Sequence, residues 1–327
     1  MHILVTGGAG YIGSLTARHL ADAGHSVVVI DDLRSGHPAA IEPLPLVVGD
    51  VRDTDLVASA IDRHGIDAVV HFAALKSVED SVTDPGSYFD DNVGGTLSVL
   101  RAMARTGVRR FVFSSSCAVY GTPEVSPVDE SAPVRPMNPY GESKAISERL
   151  LPWFESSHDI RSAVLRYFNA AGAADDGAQG EDWSEAQNLI PVVLKTAAGQ
   201  RPLVRIFGTD HPTTDGTAIR DYIHVLDLAA AHRCALEAID ARDGSLTVNV
   251  GTGVETKIRD LAAIVRSLSG HEGEVRWDTS RPDGQPTRYL DVTCARELMG
   301  FEAEMPLEEG LRRTIGSFES QLAAATS

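Results

Sequence analysis

Short runs of consecutive apolar, largely β-branched residues punctuate the first half of the chain. Ile3 to Thr6, Val27 to Ile30, Leu46 to Val48, Ala68 to Phe72, Arg110 to Phe113 and Ser162 to Arg166 have the length and make-up of strands buried on both faces. Between them the apolar positions fall three and four apart, which predicts helices. One leads through Leu20 to Ala23 and one begins near Asp53. One is opened by Asp91-Asn92-Val93, with Leu97, Leu100 and Met103 on one side, and one starts at Tyr140 behind Pro139. Pro152 is expected to kink or end this last helix early. Strands alternating with helices imply a parallel sheet covered on both faces. The alternation weakens after residue 170. Ala170 to Gln187 reads as a long loop, Asn188 to Ala198 as a helix, Val204 to Phe207 as a strand and Asp227 to Ile239 as a helix. Thr247 to Val250 reads as one more strand.

The residues at the strand ends carry the candidate chemistry. Gly7-Gly8-Ala9-Gly10-Tyr11-Ile12-Gly13 lies between the first strand and its helix, and the second strand ends in Asp31. Gly7 and Gly10 permit a tight turn against a pyrophosphate, and Gly13 permits close helix packing. The helix start offers free N–H groups to the phosphates. A carboxylate at Asp31 suits both ribose hydroxyls of adenosine and repels a 2′-phosphate, which favours NAD over NADP. Arg34 is the opposing signal, because an arginine there is able to accept a 2′-phosphate. Asp50 either meets the adenine amino group or caps the helix beginning near Asp53. His71, inside an apolar run, reads as a satisfied core histidine. Tyr140 and Lys144, four apart, share one helix face. A nearby ammonium favours the phenolate of a group whose ordinary pKa is about 10. The expected fold is α/β, a doubly wound parallel sheet (Rossmann-type) with a second, smaller mixed α/β lobe. Residues 1–170 would bind NAD and 171–327 would form the lobe, with a segment of about 219–250 returning to the first domain.

Composition narrows the partners. A net charge of -17 over 327 residues argues against nucleic acid and against an anionic membrane surface, so an anionic small molecule would need a local cluster of arginines. Three widely spaced cysteines, Cys117, Cys234 and Cys294, form no metal or redox motif and fit a reducing cytoplasm. The N-terminus enters a strand directly, and no apolar run is long enough to span a bilayer.

Several longer motifs resemble those of the extended short-chain dehydrogenase/reductase family. They are the glycine run, His71-Phe72-Ala73-Ala74-Leu75-Lys76, Asn92-Val93-x-Gly95-Thr96, Ser114-Ser115-Ser116-x-x-Val119-Tyr120-Gly121 and Tyr140-Gly141-x-Ser143-Lys144. Three others resemble its branch of UDP-glucose 4-epimerases: Arg166-Tyr167-Phe168-Asn169, Asn188-Leu189-Ile190-Pro191 and Asp215-Gly216-Thr217-x-x-Arg220-Asp221-Tyr222-Ile223-His224-Val225. The resemblance implies a homodimeric, NAD-dependent isomerase that inverts C4 of a UDP-hexose through a 4-keto intermediate. Tyr140 would be the base, Lys144 would tune it and hold the nicotinamide ribose, and Ser116 would share the substrate hydroxyl. NAD contacts would come from Gly7, Gly10, Tyr11, Ile12, Gly13, Asp31, Asp50, Val51, Phe72, Ala73, Ala74, Lys76, Asn92 and Phe168, together with Ser116, Tyr140 and Lys144. UDP-sugar contacts would come from Ser116, Asn169, Asn188, Leu189, Arg205, Ile206, Phe207, Arg220 and Arg281.

Two departures stand out against that pattern. Asp32 replaces the usual asparagine, and Arg281-Pro-Asp-Gly-Gln285 replaces Arg-x-Gly-Asp, leaving Asp283 and Gln285 as alternatives at the uridine ribose. The residue limiting the sugar's 2-substituent falls near Arg288 and Tyr289. A UDP-pentose or UDP-N-acetylhexosamine is the alternative substrate. A nucleotide-sugar 4,6-dehydratase would need acidic residues where Cys117 and Ala118 stand, and a dinucleotide sensor would have no need of Tyr140 and Lys144.

Overall fold

The computed structural model describes residues 1–174, 180–181, 189–207, 210–270, 275–278 and 287–325. Seven strands form one parallel sheet. Its order across the sheet is Leu246–Asn249, Arg161–Arg166, Arg110–Ser114, Ala68–His71, His2–Thr6, Ser26–Asp31 and Leu46–Val48. The chain order reverses between His2–Thr6 and Ala68–His71. That is where a doubly wound sheet opens a crevice beyond the carboxyl ends of its strands.

The inner strands are apolar on both sides because each side is covered, whereas the edge strand Leu46–Val48, expected to be buried on both faces, leaves Val48 60% exposed. Ile3, Val5, Val29 and Val70 face the helices Tyr11–Asp22 and Val225–Ala241, packing with Leu20, Leu228 and Ala235. Leu4, Ile30, Val69, Phe111 and Phe113 face the opposite layer, where Val57, Leu100, Met103 and Leu151 close the core. The period-2 alternation of the strands is thus present, but hidden in a sequence where both faces are buried.

A smaller third core gathers Ile190, Val193, Leu194, Val204, Ile206, Leu261, Val265, Leu311 and Ile315. Short strand pairs surround it. Val204–Phe207 runs parallel to Val275–Asp278, and Asn169–Ala171 parallel to Tyr222–His224. Ile219–Arg220 pairs with both Thr256–Lys257 and Thr287–Arg288. This is the mixed lobe. Among the described residues no helix is long and apolar enough to cross a membrane.

Two local expectations need correction. The helix Pro139–His158 continues through Pro152 rather than ending there. Pro152 is exposed, so water can take the carbonyl that its missing N–H leaves unbonded. The Asp91-Asn92-Val93 segment does not open an α-helix cleanly. Phe89–Gly94 forms a wider π-type turn that runs on into the helix Gly95–Thr106.

Candidate active site

The glycine run is shaped by close approach. Gly7 has φ +67°, and a Cβ there would lie 2.5 Å from the Ala73 backbone nitrogen. A Cβ on Gly13 would lie 2.2 Å from the Gly7 carbonyl oxygen. Both distances are far inside contact, so no side chain fits, and the first strand's turn, its helix and the end of strand Ala68–His71 meet backbone to backbone. Gly10 caps that helix without a side-chain bond, and its first turn holds no acid. The leading N–H groups therefore lack a side-chain cap, which leaves them the donors a helix start offers to an anion. Tyr11 donates its hydroxyl hydrogen to the Gly172 carbonyl at 2.7 Å, tying this turn to the start of the lobe, and Ile12 packs on the sheet core.

Asp31, 7% exposed, lies beside the glycine turn, its Oδ2 accepting from Ala9 N and its Oδ1 from Leu33 N, both at 2.9 Å. Asp50 does not cap the next helix. Asp53 does, accepting from the N–H groups of Asp55 and Leu56, while Asp50 is engaged by Arg52. Val51 is buried in the sheet core. Phe72 packs against His232 with the rings tilted and their centroids 4.6 Å apart, and Ala73 and Ala74 line the strand end; Lys76 is exposed beyond them. His71 is the core histidine anticipated. It bonds Thr6 at 2.6 Å and Thr96 at 3.1 Å, and burial lowers its pKa to about 3, so it stays neutral.

Helix Pro139–His158 presents Tyr140, Lys144 and Glu148 at successive turns to the serines ending strand Arg110–Ser114. The Tyr140 hydroxyl lies beside the Ser116 side chain. Lys144, 5% exposed, donates to the Ser114 carbonyl at 2.8 Å and sits 5.0 Å above the Phe113 ring. Ser115 donates to Glu148 Oε1 at 2.6 Å. Burial raises the Tyr140 phenol above its ordinary value, and the neighbouring Ser116 hydroxyl opposes that rise. Burial lowers the Lys144 ammonium to about 8, with the Glu148 carboxylate opposing. Asn92 accepts from Leu75 N at 2.7 Å and donates to Leu75 O and to Ser143 Oγ. It joins the end of strand Ala68–His71 to the tyrosine helix.

The substrate-side residues are more dispersed. Phe168 packs beside Cys117, Tyr120 and Ala145, and Asn169 donates to the Asp221 carbonyl at 3.0 Å. Leu189 begins the helix Leu189–Ala197. Ile206 is buried in the lobe core while Arg205, next to it on the strand, is exposed. Arg220 donates to the Ile219 carbonyl at 2.8 Å. Asn188, Arg281, Asp283, Gln285 and the side chain of Phe207 lie outside the described residues.

Several residues with structural tasks here were not singled out in the sequence. Glu148 is held by Arg166 through Nε at 3.0 Å and Nη2 at 2.5 Å, and Arg166 Nη1 donates to the Tyr120 hydroxyl. Tyr167 bonds Ser114 Oγ at 2.6 Å. Asp221, 2% exposed, accepts from Thr252 and Gly253, which explains an acid inside the Arg220–Val225 run. Glu148 carried a usable signal, since it repeats the four-residue step from Tyr140 to Lys144.

Comparison with known proteins agrees with this geometry. The model of the NAD dependent epimerase/dehydratase family matches residues 3–251. A UDP-glucose 4-epimerase of Lacticaseibacillus casei is 40% identical over 303 residues, covering 92% of each chain. The crystal structure of a Brucella ovis UDP-glucose 4-epimerase in complex with NAD aligns with TM-score 0.92 at 41% identity, covering 96% of each chain. That of a Stenotrophomonas maltophila UDP-glucose 4-epimerase with bound NAD and formylated UDP-arabinopyranose aligns with TM-score 0.96 at 38% identity, covering 99% of each chain.

Proposed function

This chain belongs to the NAD dependent epimerase/dehydratase family, and from that premise we infer that it inverts C4 of a UDP-hexose, interconverting UDP-glucose and UDP-galactose. One observation carries the reading: a phenol beside a serine, with a buried ammonium one turn below, on the sheet edge where the glycine turn also lies.

The residues present fit NAD. The side-chain-free backbone packing at Gly7 and Gly13 gives the tight turn a pyrophosphate needs, the uncapped helix start suits its charge, and Asp31 suits the adenosine ribose. Gly10, Tyr11 and Ile12 would flank the phosphates. Asp50 and Val51 would line the adenine end. Phe72, Ala73, Ala74, Lys76 and Phe168 would line the path to the nicotinamide, and Asn92 would keep that path and the tyrosine helix in register. When bound, NAD supplies a hydride acceptor and donor for C4.

Tyr140 takes the 4-hydroxyl proton, and Ser116 orients that hydroxyl by sharing its hydrogen bond. Lys144 places a charge one turn below the phenol, which would favour loss of its proton once the substrate hydroxyl is in place. The 4-keto sugar must then turn over, so binding has to be firm at UDP and loose at the hexose. Asn169, Asn188, Leu189, Arg205, Ile206, Phe207, Arg220 and Arg281 are assigned to the UDP-sugar, with Ile206 acting through its backbone. On this reading residues 1–170 hold NAD and 171–327 form the UDP-sugar lobe, less the returning segment near 219–250.

Buried Cys117, its thiol pushed well up by burial, and Ala118 supply no acid for elimination of water, which disfavours a 4,6-dehydratase. The formylated UDP-arabinopyranose bound by the Stenotrophomonas relative favours a UDP-pentose as the second substrate class. The chain is also assigned as a cytoplasmic homodimer joined through the helices following Asn92 and Tyr140. Trp153, 73% exposed on the latter, supports that face. Light scattering should return twice the chain mass.

Separate incubations with UDP-galactose, UDP-N-acetylgalactosamine and a UDP-pentose, followed by proton NMR, test the function. Conversion of UDP-galactose is expected, and its recovery unchanged would refute the reading.

A further inference from the structure

The adenosine end of the cleft contains an ion-pair network that the motifs do not account for. Arg34 reaches Asp32 Oδ2 through Nε and Asp91 Oδ2 through Nη1, each at 2.5 Å. Arg52 reaches Asp50 Oδ2 through Nη2 at 2.5 Å and Asp91 Oδ1 through Nη1 at 2.6 Å. Asp91 therefore gives one oxygen to each guanidinium. It is only 7% exposed, whereas Arg34 is 54% and Arg52 43% exposed. Three separate segments are tied together: the turn after Asp31, the turn after Leu46–Val48, and the π-type turn carrying Asn92.

Arg34 is the residue that, read from sequence, opposes NAD selectivity. It stands three positions beyond Asp31, where a guanidinium is able to receive a 2′-phosphate. A phosphate monoester there brings nearly two negative charges and needs a donor fork that is not already engaged. Here both nearby forks are taken, each by two carboxylates. With Asp31 included, four carboxylates face two cations. Enlisting Arg34 for a phosphate would mean breaking its bonds to Asp32 and Asp91 and leaving Asp91 short of a partner in a largely buried position. Asp32 thereby gains a reason: where the family pattern has asparagine, this chain has a charge that holds Arg34.

We propose that Asp32 and Asp91 are specificity-determining residues that hold Arg34 and Arg52 in completed ion pairs and so close the adenosine end to 2′-phosphorylated dinucleotides. The inference rests on the NAD-binding reading and adds to the repulsion from Asp31 a second device, the withdrawal of the available cations. A single carboxylate beside an unheld arginine would discriminate less.

The test reads bound nucleotide rather than turnover. Purified protein is stripped of its own nucleotide, equilibrated with equal NAD and NADP, freed of unbound nucleotide and denatured, and the released dinucleotides are separated by chromatography. Wild type is expected to release NAD almost alone. The D32N/D91N variant should raise the NADP-to-NAD ratio by about tenfold or more, the worth of one charge-assisted hydrogen bond to phosphate. Adding R34Q to that variant should abolish most of the gain, because the gain depends on the released guanidinium and not only on lost negative charge. Asp91→Asn alone, which keeps the side-chain shape, should give a smaller rise in the same direction. An unchanged ratio in D32N/D91N with NAD still bound, or a gain that survives R34Q, overturns the proposal while leaving the NAD reading intact. Wild-type protein that releases neither nucleotide overturns both.

Discussion

Ser115 donates its hydroxyl hydrogen to Glu148 at 2.6 Å, one residue away from the serine that meets Tyr140 and one helical turn away from Lys144. The strand end and the tyrosine helix are thus joined at two successive turns, ammonium to the Ser114 carbonyl and carboxylate to Ser115, with the phenol one turn earlier beside Ser116. Arg166 completes the carboxylate's shell from the next strand, with its side chain 8% and that of Glu148 10% exposed.

A buried ion pair of this kind is costly to break from one side. Glu148→Gln leaves the Arg166 guanidinium buried without its anion and should lower unfolding free energy by about 3–5 kcal/mol. Replacing both partners, as in E148L/R166M, should cost less than either single change. Urea denaturation of E148Q, E148L, R166M and the double variant checks the ordering.

The pH profile follows from Lys144. Its ammonium, lowered to about 8 by burial, is charged below that pH and neutral above it. Turnover should therefore fall as pH rises through about 8, and Lys144→Met should remove this limb along with most of the rate. The folded-state pKa lies below the unfolded value of about 10.4. The unfolded chain therefore binds more protons between those values, and Lys144 contributes rising stability across that window rather than a loss. Where E148Q remains folded, its alkaline limb should move to lower pH, because the carboxylate that favours the ammonium is gone.

Gly13→Ala tests the glycine turn. Its Cβ would lie 2.2 Å from the Gly7 oxygen, against backbone that cannot yield like a side chain. The turn must shift, and dinucleotide released on denaturation should fall well below one per chain. Wild type should release close to one, since an enzyme that returns its own hydride need not exchange its cofactor.

The sheet was legible because strands buried on both faces leave apolar β-branched runs that nothing else explains, such as Val27–Ile30 and Ala68–Val70. The glycine run and Asp31 were legible because their spacing follows from backbone geometry alone. Helix termini were less so. Asp50 and Asp53 both look like caps, and only the structure shows Asp53 bonding the first turn while Arg52 holds Asp50. Pro152 does not end its helix, because proline's cost depends on which side of the helix it occupies, and a residue's side is a tertiary property. Glu148–Arg166 and Asp91 with its two arginines join residues far apart in the chain, so no local pattern announces them.

The central claim is that the Tyr140 phenol moves the proton at C4 of the sugar. Tyr140→Phe removes one oxygen and leaves the Lys144–Ser114 and Glu148–Ser115 joins in place. Conversion of UDP-galactose by this variant, followed by proton NMR with bound NAD quantified on the same sample, should be slower by about 10²–10⁴-fold at undiminished cofactor content. Turnover close to wild type would contradict the account.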